Sequence, residues 1–474
     1  MNVKPYYVFS MEGQAYLIKL LSNRVHLISQ EEYNALLLFQ DKQHPLDEAL
    51  LQKYNLESNK NTWETQREKR WDNLFSQRKV YCLELMMSQE CNMRCDYCYG
   101  DAHFGGNGLM SWPMAKRALD WLLDIMQKTV YPRGAEIFIS FFGGEPLLNF
   151  DVVKKSIEYV WDERKQRNIL FSMTTNLSLL TDEMLSFMCQ YPMGLCISFD
   201  GRMQHKYRRF VNGEDSYNSV VANIKKVLAV MPDATGRATL YGDGNMDDMA
   251  YDLREIGFHR GYVNAASGSL IKGTVLQTKA DAYQALIDTY PALTKRYLTA
   301  IKTRDEQTFR LISFDSEFMQ SVGKGWMPPT NMMSCGCGRT LYSVDVQGDI
   351  YPCHRFVGVP EMKLGNIEDP YEELKTEAFA EHITFVNPAC KTCFLRYTCG
   401  GSCLHENYCD ASVAQGKPSL HVPFSTFCEY RRLATKLAIH VEHSLDKEDK
   451  AWLRMLDHAE NRIRGKGDVE RYGI

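Results

Sequence analysis

The segment Cys91-Asn-Met-Arg-Cys95-Asp-Tyr-Cys98 stands directly after the strand-like run YCLELMM of residues 81–87. Thiolates in this C-x3-C-x2-C spacing can hold three irons of a [4Fe–4S] cube and leave the fourth iron without a protein ligand. Zinc normally takes four protein ligands, and its motifs are usually built from C-x2-C pairs. A zinc or redox loop is therefore the weaker interpretation, and the segment predicts an iron–sulfur cluster with one open iron.

Strand-like runs alternate with helical patterns after this segment. The runs are EIFISFF, LFSMTTN, LCISFD, RATLYG and GYVNA, and the predicted helices are 112–129, 151–165, 181–189, 217–231 and 246–256. Such alternation is typical of parallel strands joined by helical crossovers. Counted from YCLELMM, six units favour an α/β fold with a partial (β/α)6 barrel over a full eightfold barrel. In such barrels the chemistry lies where the strands end.

A second group of cysteines lies further along the chain. Its members are Cys335, Cys337, Cys353, Cys390, Cys393, Cys399, Cys403, Cys409 and Cys428. A zinc ribbon needs only four thiols, so seven or more suit two further cubane clusters. The surrounding segment, 330–430, has little regular periodicity and would need metal to fold. The isolated Cys82, Cys189 and Cys196 stand in apolar settings, where a cysteine is usually a small buried side chain.

The two ends of the chain have their own patterns. Residues 1–45 predict three short strands and then a helix that begins near Ser29. Further helices are predicted at LDEALLQKY, in the linker WETQREKRWDNLFSQRK, over 277–305 and within 427–465. An exposed edge strand in the N-terminal unit would be able to pair with an extended peptide. A purely structural N-terminal cap is the alternative.

The composition excludes several classes of function. The 474 residues carry a net charge of −4, and the pI is about 6.3, so nothing attracts the chain generally to nucleic acid or to an acidic membrane. The N-terminus lacks a signal-peptide pattern, and no apolar run is long enough for a membrane helix. We therefore expect a cytoplasmic protein of two or three domains, whose clustered cysteines bind metal rather than form disulfides.

The first cysteine segment resembles the signature of the radical S-adenosylmethionine (SAM) superfamily. The resemblance implies that SAM chelates the open iron, that the cluster's electron cleaves the sulfonium, and that a 5′-deoxyadenosyl radical abstracts a substrate hydrogen. Tyr97 matches the aromatic residue near the adenine. Phe142-Gly143-Gly144-Glu145-Pro146 resembles the family's GGEP motif, which holds the SAM amino group. The two glycines allow close backbone approach to a ligand, and Glu145 can accept hydrogen bonds from a cation.

Two later strand ends resemble SAM-contacting positions of the same superfamily. Asn176 ends the third strand and Ser198 the fourth, and the resemblance puts them near the ribose and the methionine carboxylate. Arg208 follows and could pair with that carboxylate. For Asn176 and Asp200 the alternative is ordinary turn-forming polarity.

The second cysteine group resembles the SPASM pattern, in which C…Gx4C…CxxCx5Cx3C…C binds two auxiliary clusters. The resemblance implies three [4Fe–4S] clusters in total. Auxiliary cluster I would take Cys335, Cys353 and Cys403, with Cys337 as a candidate fourth ligand. Auxiliary cluster II would take Cys390, Cys393, Cys399 and Cys428, which leaves Cys409 as a bystander. An open auxiliary iron would be able to bind a substrate thiol.

The phrases at 351–358 and 364–367 resemble the thioether-forming maturases of ranthipeptides and SCIFF peptides. The resemblance implies a winged-helix-like leader-recognition domain with a linker at 1–80, a radical SAM barrel at 81–310, a SPASM domain at 311–440 and a final helix at 441–474. It also implies a thioether between Cys and a β- or γ-carbon of a ribosomally made precursor peptide. The implied partners are that peptide and a reductase such as flavodoxin or ferredoxin, with no nucleic acid and no membrane.

Two other functions stay open at this point. One is another reaction of the same scaffold, either oxidation of Cys or Ser, as in sulfatase maturation, or formation of carbon–carbon or ether cross-links. A non-catalytic iron–sulfur scaffold is the second, and the intact C-x3-C-x2-C and GGEP motifs argue against it. The sequence does not identify the general base.

Overall fold

The computed structural model describes residues 6–20, 22, 24–40, 48–56, 65, 69, 79–101, 104, 106, 108–268, 277–312, 335–381, 383–414, 416, 419–423 and 425–456. Nearly all of the predicted linker helix at 63–79 lies outside these residues. None of the helices within them combines the length and the apolar character that a membrane crossing requires.

The N-terminal unit is a three-stranded antiparallel sheet followed by helices, as predicted. Its elements are β1 (Tyr6–Met11), β2 (Gln14–Lys19), β3 (Arg24–Ile28), α1 (Gln30–Gln40) and α2 (Glu48–Tyr54). Glu12 and Gly13 have φ angles of 49° and 75°, which suit the tight turn between β1 and β2. Ser29 and Glu32 bond each other's backbone N–H groups and form a capping box at the predicted helix start. The winged-helix-like character of this unit stays a prediction.

A mixed sheet forms the centre of the molecule. Nine strands of the described chain form it, namely β4 (Cys82–Ser88), β6 (Ile137–Gly143), β7 (Ile169–Thr175), β8 (Met193–Ser198), β10 (Thr235–Leu240), β11 (Arg260–Ala265), β12 (Leu341–Val344), β13 (Asp349–Tyr351) and β14 (Gly365–Asn366). Their order across the sheet is β11-β10-β8-β7-β6-β4-β12-β13-β14. The neighbours from β11 to β12 are parallel, and β13 and β14 continue antiparallel. The predicted strands are therefore present, and their closure into a partial barrel stays a prediction.

The crossover helices occupy the predicted positions. They are α3 (Trp112–Lys128), α4 (Phe150–Glu158), α5 (Asp182–Met188), α6 (Tyr217–Val230) and α7 (Met246–Glu255). Side chains of Ser111, Thr181 and Asn245 cap three of these helices. The helix predicted over 151–165 differs, because its last part is a π-helical turn.

The C-terminal third is built from short elements and a few long helices. The long helices are α8 (Gln277–Thr303), α9 (Glu306–Ile312), α10 (Leu404–Ala414) and α11 (Ser425–Ser444), with short helices at Glu377–Ala380, Ile383–Val386 and Pro388–Thr392. The hydroxyls of Tyr290 and Tyr430 lie 2.9 Å apart where α8 packs on α11. The region predicted as closing helices breaks after Ser444 and continues as a helix over 447–456.

The N-terminal sheet packs directly against the C-terminal segment. The rings of Tyr7 and Phe394 stack with centroids 4.1 Å apart and planes 7° from parallel. The ammonium of Lys436 lies 5.4 Å from the Tyr7 ring, and the Tyr16 hydroxyl lies 2.8 Å from Nδ1 of His440. The buried cluster at this joint contains Phe9, Tyr16, Ile18, Leu20, Phe394, Leu395, Tyr397 and Ile439. The joint therefore fixes the sheet beside the cysteine loop at 393–399.

We predict that Phe9→Ala loosens this joint. The Phe9 ring is 4% exposed and stacks on Tyr16, so its removal leaves a cavity that costs about 3 kcal/mol. Hydrogen exchange of the β1 and β2 amides should quicken accordingly. Leu27→Ala is the control, because Leu27 is 51% exposed on the same sheet and its loss should change stability by no more than about 0.5 kcal/mol. Unchanged exchange in Phe9→Ala would mean that the joint does not stabilise the sheet.

Candidate active site

The first cysteine segment borders one open pocket at the carboxyl ends of the parallel strands. Cys95 ends the short strand β5 (Met93–Cys95), which pairs with β9 (Arg208–Phe210) so that Cys95 lies opposite Arg208. The pocket is lined by Cys91, Met93, Cys95, Tyr97, Cys98, Tyr99, Phe104, Phe142, Gly143, Gly144, Glu145, Thr174, Thr175, Asn176, Ser198, Arg208, Arg237, Thr239, Ala265, Ser267 and Arg355. Every residue predicted to contact SAM is among them.

The thiols of this pocket lie in a setting that opposes their ionisation. Burial raises the pKa of Cys91 to about 12 and that of Cys95 to about 11. The charge of Glu145 adds to the rise at Cys91, whereas the charge of Arg208 opposes the rise at Cys95. Metal ligation requires thiolates, so a positively charged core must compensate for them. In the described part of the chain no group of Cys, His, Asp or Glu is close enough together to hold a single metal ion.

The two glycines of the GGEP motif pack against the cysteine loop itself. A Cβ on Gly143 would lie 2.1 Å from the carbonyl oxygen of Ser88, and one on Gly144 would lie 2.2 Å from that of Glu90. The Gly144 amide donates to Ser88 and the Glu145 amide to Glu90. The sequence predicted that the two glycines allow a ligand to approach the backbone closely. In the structure they allow close approach of the backbone segment that leads into Cys91.

The Glu145 carboxylate is held by the chain. It accepts hydrogen bonds from the Thr175 hydroxyl at 2.6 Å and from the amides of Asn176 and Leu147 at 2.7 and 3.0 Å. Burial raises its pKa, and these donors oppose the rise. Glu145 therefore ties the GGEP turn to the end of β7. Any contact of its carboxylate with the SAM amino group would add to these bonds.

Asn176 connects the end of β7 to the cysteine segment. Its side-chain amide donates to Asn92 at 2.9 Å and lies 3.8 Å from the sulfur of Cys91, and its carbonyl oxygen accepts from Ser178. Ser198, the last residue of β8, lines the pocket and lies opposite Arg237 in the sheet. The structure thus brings both residues to the pocket, with Asn176 nearest the thiols.

A buried polar network closes the other side of the pocket. The Tyr97 hydroxyl donates to Asp200 at 2.5 Å and accepts from Arg208 at 2.7 Å, and Asp200 also accepts from the Thr239 amide. Burial raises the pKa of Asp200, and the Arg208 charge opposes the rise. Nε of Arg208 is buried without a hydrogen-bond partner among the described residues. An unpaired guanidinium donor fits an anionic group such as the SAM carboxylate, so the residues present suit the cofactor.

Sequence reasoning missed the wall that the C-terminal segment contributes. Arg355 and Ser267 line the pocket, and Arg355 lies 5.2 Å from the ring of Tyr99. The neighbouring His354 stacks on Phe142 at 4.1 Å and bonds the buried Glu84 of β4 at 2.7 Å. The only signal in the sequence was the position of His354 and Arg355 directly after a cysteine. That position does not reveal what the side chains contact.

The thiols predicted for auxiliary cluster I lie near one another behind this wall. Cys337 is buried and lies within hydrogen-bonding distance of Cys335 and Cys353. Burial raises the pKa of Cys403 to about 12, and Cys335 and Cys353 are close enough to add to the rise. The candidate fourth thiol therefore stands with the other three.

The thiols predicted for auxiliary cluster II line a second pocket together. Cys390, Cys393, Cys399 and Cys428 share it with the arginines Arg396, Arg431 and Arg432. Cys409 lies elsewhere, buried 3.8 Å from the His405 ring. The sequence predicted that the isolated Cys82, Cys189 and Cys196 are buried, but all three are partly exposed. Cys82 and Cys196 lie at half-exposed positions of their strands.

Comparison with protein families agrees with this geometry. Residues 85–256 match the model of the radical SAM superfamily, and residues 335–394 match the SPASM iron–sulfur cluster-binding domain. The chain carries a radical SAM domain. The residues that match the SPASM domain include Arg355 of the wall and five of the thiols described above, namely Cys335, Cys337, Cys353, Cys390 and Cys393.

Several known proteins resemble this chain. It is 33% identical over 135 residues to the uncharacterized protein MJ0907 of Methanocaldococcus jannaschii. This match covers 28% of the chain and 44% of the relative, so the chain spans less than half of that relative. It is 20% identical to the radical SAM cyclopropyl synthase TigE of Paramaledivibacter caminithermalis over 74% of the chain and 73% of the relative. It is 23% identical to the serine-type anaerobic sulfatase-maturating enzyme of Bacteroides thetaiotaomicron over 74% of the chain and 88% of the relative.

Solved structures share the fold. The structure of anSMEcpe with bound AdoMet superposes with a TM-score of 0.60 and 17% identity, and the match covers 77% of the chain and all of that protein. A second structure of anSMEcpe, with bound AdoMet and the Cp18Cys peptide, gives a TM-score of 0.55 at 17% identity over 77% of the chain and 99% of that protein. At this identity the likeness concerns the fold alone.

We predict that Gly144→Ala displaces the cysteine loop. The added methyl group meets the Glu90 carbonyl, which is backbone and cannot move aside without moving Cys91. The purified variant should lose iron from the SAM-binding cluster and form little 5′-deoxyadenosine. Gly194→Ala on β8 is the matched control, because its nearest contact would be an ordinary 3.9 Å. Wild-type iron content in Gly144→Ala would refute the proposed clamp.

We predict that Cys337→Ala removes the iron of auxiliary cluster I. The sulfur stands beside Cys335 and Cys353, so its loss leaves the group one thiol short. Iron analysis and electron paramagnetic resonance of the reduced protein measure this. Cys409→Ala is the control, because this buried thiol lies beside His405 and outside both groups. Equal iron in the two variants would mean that Cys337 is not a ligand.

Proposed function

We propose that this radical SAM enzyme modifies a ribosomally made precursor peptide in the cytoplasm and joins a Cys sulfur to a β- or γ-carbon of an acceptor residue. One observation carries the proposal. A single pocket is bounded by the three-thiol segment on one side and, on the other, by Arg355, two residues beyond a thiol of auxiliary cluster I. A substrate in that pocket can lose hydrogen to SAM chemistry and an electron to the SPASM domain.

The roles that we propose for the pocket residues follow from their contacts. When bound, SAM and its cluster supply reductive cleavage to methionine and 5′-deoxyadenosine, with abstraction of a substrate hydrogen. Cys91, Cys95 and Cys98 would hold the cluster, and Arg208 would receive the SAM carboxylate on its unpartnered Nε. Tyr97 would border the adenine, and Glu145, Gly143 and Gly144, with Asn176 and Ser198, would shape the rest of the SAM site.

The SPASM domain, proposed for residues 311–440, would hold two auxiliary clusters on the sets predicted above. The position of Cys337 supports a fully ligated auxiliary cluster I with Cys335, Cys353 and Cys403. A closed cluster can accept an electron but offers no iron to a substrate thiol. We therefore propose that the substrate sulfur is activated by protein side chains. A reductase such as flavodoxin or ferredoxin would supply electrons to the SAM site.

The N-terminal unit, proposed as a leader-recognition element within residues 1–80, supports a peptide substrate. In the described part of the sheet β3 pairs with β2 alone, so its other edge is available to an extended strand. Leu27 on β3 is 51% exposed and offers apolar contact there. Backbone pairing gives affinity for an extended peptide, and side-chain pockets give selectivity.

A second candidate is other SPASM chemistry on a peptide, namely oxidation of Cys or Ser, or a carbon–carbon or ether link. The similarity to a sulfatase-maturating enzyme and to a cyclopropyl synthase favours keeping it. The two candidates differ in the fate of the substrate thiol. A thioether consumes a Cys thiol and retains its sulfur, whereas a carbon–carbon or ether link leaves the thiol free.

We predict that the wild-type enzyme, co-expressed with a short Cys-rich peptide encoded beside its gene, lowers the peptide mass by two hydrogens per bridge. Each bridge should also remove one thiol from alkylation by iodoacetamide, because the sulfur is bonded to carbon. Tandem mass spectrometry then locates the acceptor residue. A dehydrogenated peptide with all thiols free would favour the second candidate. An unchanged peptide alongside continued formation of 5′-deoxyadenosine would contradict both.

A further inference from the structure

Three side chains meet between the SAM pocket and the thiols of auxiliary cluster I. Arg355 donates through Nη1 to the Ser267 hydroxyl, and that hydroxyl donates to Oε1 of Glu406 at 3.3 Å. The same guanidinium nitrogen lies 3.6 Å from Oε1 of Glu406. Ser267 follows β11, Arg355 follows Cys353, and Glu406 lies in the first turn of α10, so three separate segments build this triad.

Two members of the triad line the pocket. Ser267 and Arg355 line the pocket, while Glu406 is buried behind them with 8% exposure. The side chains of Arg355 and Glu406 are 16% and 10% exposed, so their ion pair is largely shielded from water. A shielded guanidinium stabilises an anion more strongly than an exposed one does. The pocket therefore offers, at one point, a fixed positive charge and a hydroxyl linked to a carboxylate.

The other buried carboxylates near the pocket are committed to the fold. Glu145 accepts two backbone amides and a hydroxyl, and Asp200 accepts a backbone amide and the Tyr97 hydroxyl. Glu84 accepts the backbone amide of His354 as well as its ring nitrogen. Glu406 contacts the pocket through the side chains of Ser267 and Arg355.

We propose that Arg355, Ser267 and Glu406 form the site that takes the substrate Cys side chain and activates it as a thiolate. This inference rests on the proposed function and names the groups that carry out its proton transfer. Glu406 acts through Ser267: the thiol proton passes to the Ser267 oxygen as the Ser267 proton passes to Glu406. Arg355 then holds the sulfur anion beside the pocket.

The step balances with groups already named. The substrate S–H bond breaks, and its proton ends on Glu406. The acceptor carbon loses a hydrogen atom to the SAM chemistry, and the sulfur lone pair forms the new S–C bond. One electron remains, and an auxiliary iron–sulfur cluster, held by the thiols of the SPASM domain, would be the oxidant that takes it. A closed auxiliary cluster I needs a thiol-activating site of this kind, because no iron is then free to bind the sulfur.

The test measures cross-linked peptide formed per 5′-deoxyadenosine by the reconstituted holoenzyme, with the peptide that the wild type modifies. Glu406→Gln keeps the shape of the side chain but cannot take a proton, so we expect the ratio to fall by about 100-fold, within the range of a positioned proton acceptor. Ser267→Ala should lower the ratio similarly, and Ser267→Thr, which keeps the hydroxyl, should restore most of it. This rescue distinguishes proton transfer from a structural role.

The control is a matched ion pair on the surface. Arg117 of α3 and Glu368 of the SPASM domain also join the two domains, 2.5 Å apart, but are 54% and 62% exposed. Arg117→Gln and Glu368→Gln should leave the ratio at the wild-type value. An unchanged ratio in Glu406→Gln and Ser267→Ala, or an equal fall in Ser267→Thr, would overturn the assignment. If Glu406→Gln loses iron, the comparison of Ser267→Ala with Ser267→Thr decides whether the triad transfers the proton. A wild type that cleaves SAM but leaves the peptide unchanged contradicts the proposed function itself.

Discussion

Three thiols held at one open pocket are the constraint on which the rest of this structure depends. Burial holds Cys91 and Cys95 toward their neutral form, with pKa values raised to about 12 and about 11. Ligation reverses this, because a cationic iron–sulfur core offsets the charge that the pocket disfavours. The segment can therefore bind a cluster only if the surrounding chain holds three flexible cysteine side chains around one point.

The surrounding contacts supply that positioning. The GGEP turn lies so close to Ser88 and Glu90 that only glycine fits at residues 143 and 144. The β5–β9 ribbon holds Cys95 opposite Arg208, and Asn176 reaches the sulfur of Cys91 from the end of β7. Elements from separate strands thus converge on the cysteine loop. Such preorganisation keeps the ligand positions fixed while the cluster changes its charge.

Much of the fold and the SAM site was predictable because it depends on local patterns. The alternation of strands and helices follows from hydrophobic periodicity, the helix start at Ser29 from a capping box, and the pocket residues from motifs at the ends of strands. Those strand ends meet at one edge of a parallel sheet, so residues distant in the chain were bound to come together.

The remainder depends on how distant segments dock. No periodicity reveals that Arg355 faces Ser267 and Glu406, or that Tyr7 stacks on Phe394, because each contact joins segments far apart in sequence. The glycines illustrate a subtler limit. Their need for space was evident from the sequence, but the group that occupies the space is the backbone at residues 88–90 rather than a ligand.

The central claim is that Cys91, Cys95 and Cys98 hold a cluster that reduces SAM. The most direct measurement reconstitutes the wild-type protein and a Cys91→Ala, Cys95→Ala, Cys98→Ala variant without oxygen, adds SAM and a strong reductant, and quantifies iron and 5′-deoxyadenosine. We expect 5′-deoxyadenosine from the wild type only, with less iron in the variant. A wild type that forms none, or a variant that keeps both its iron and its 5′-deoxyadenosine, would contradict it.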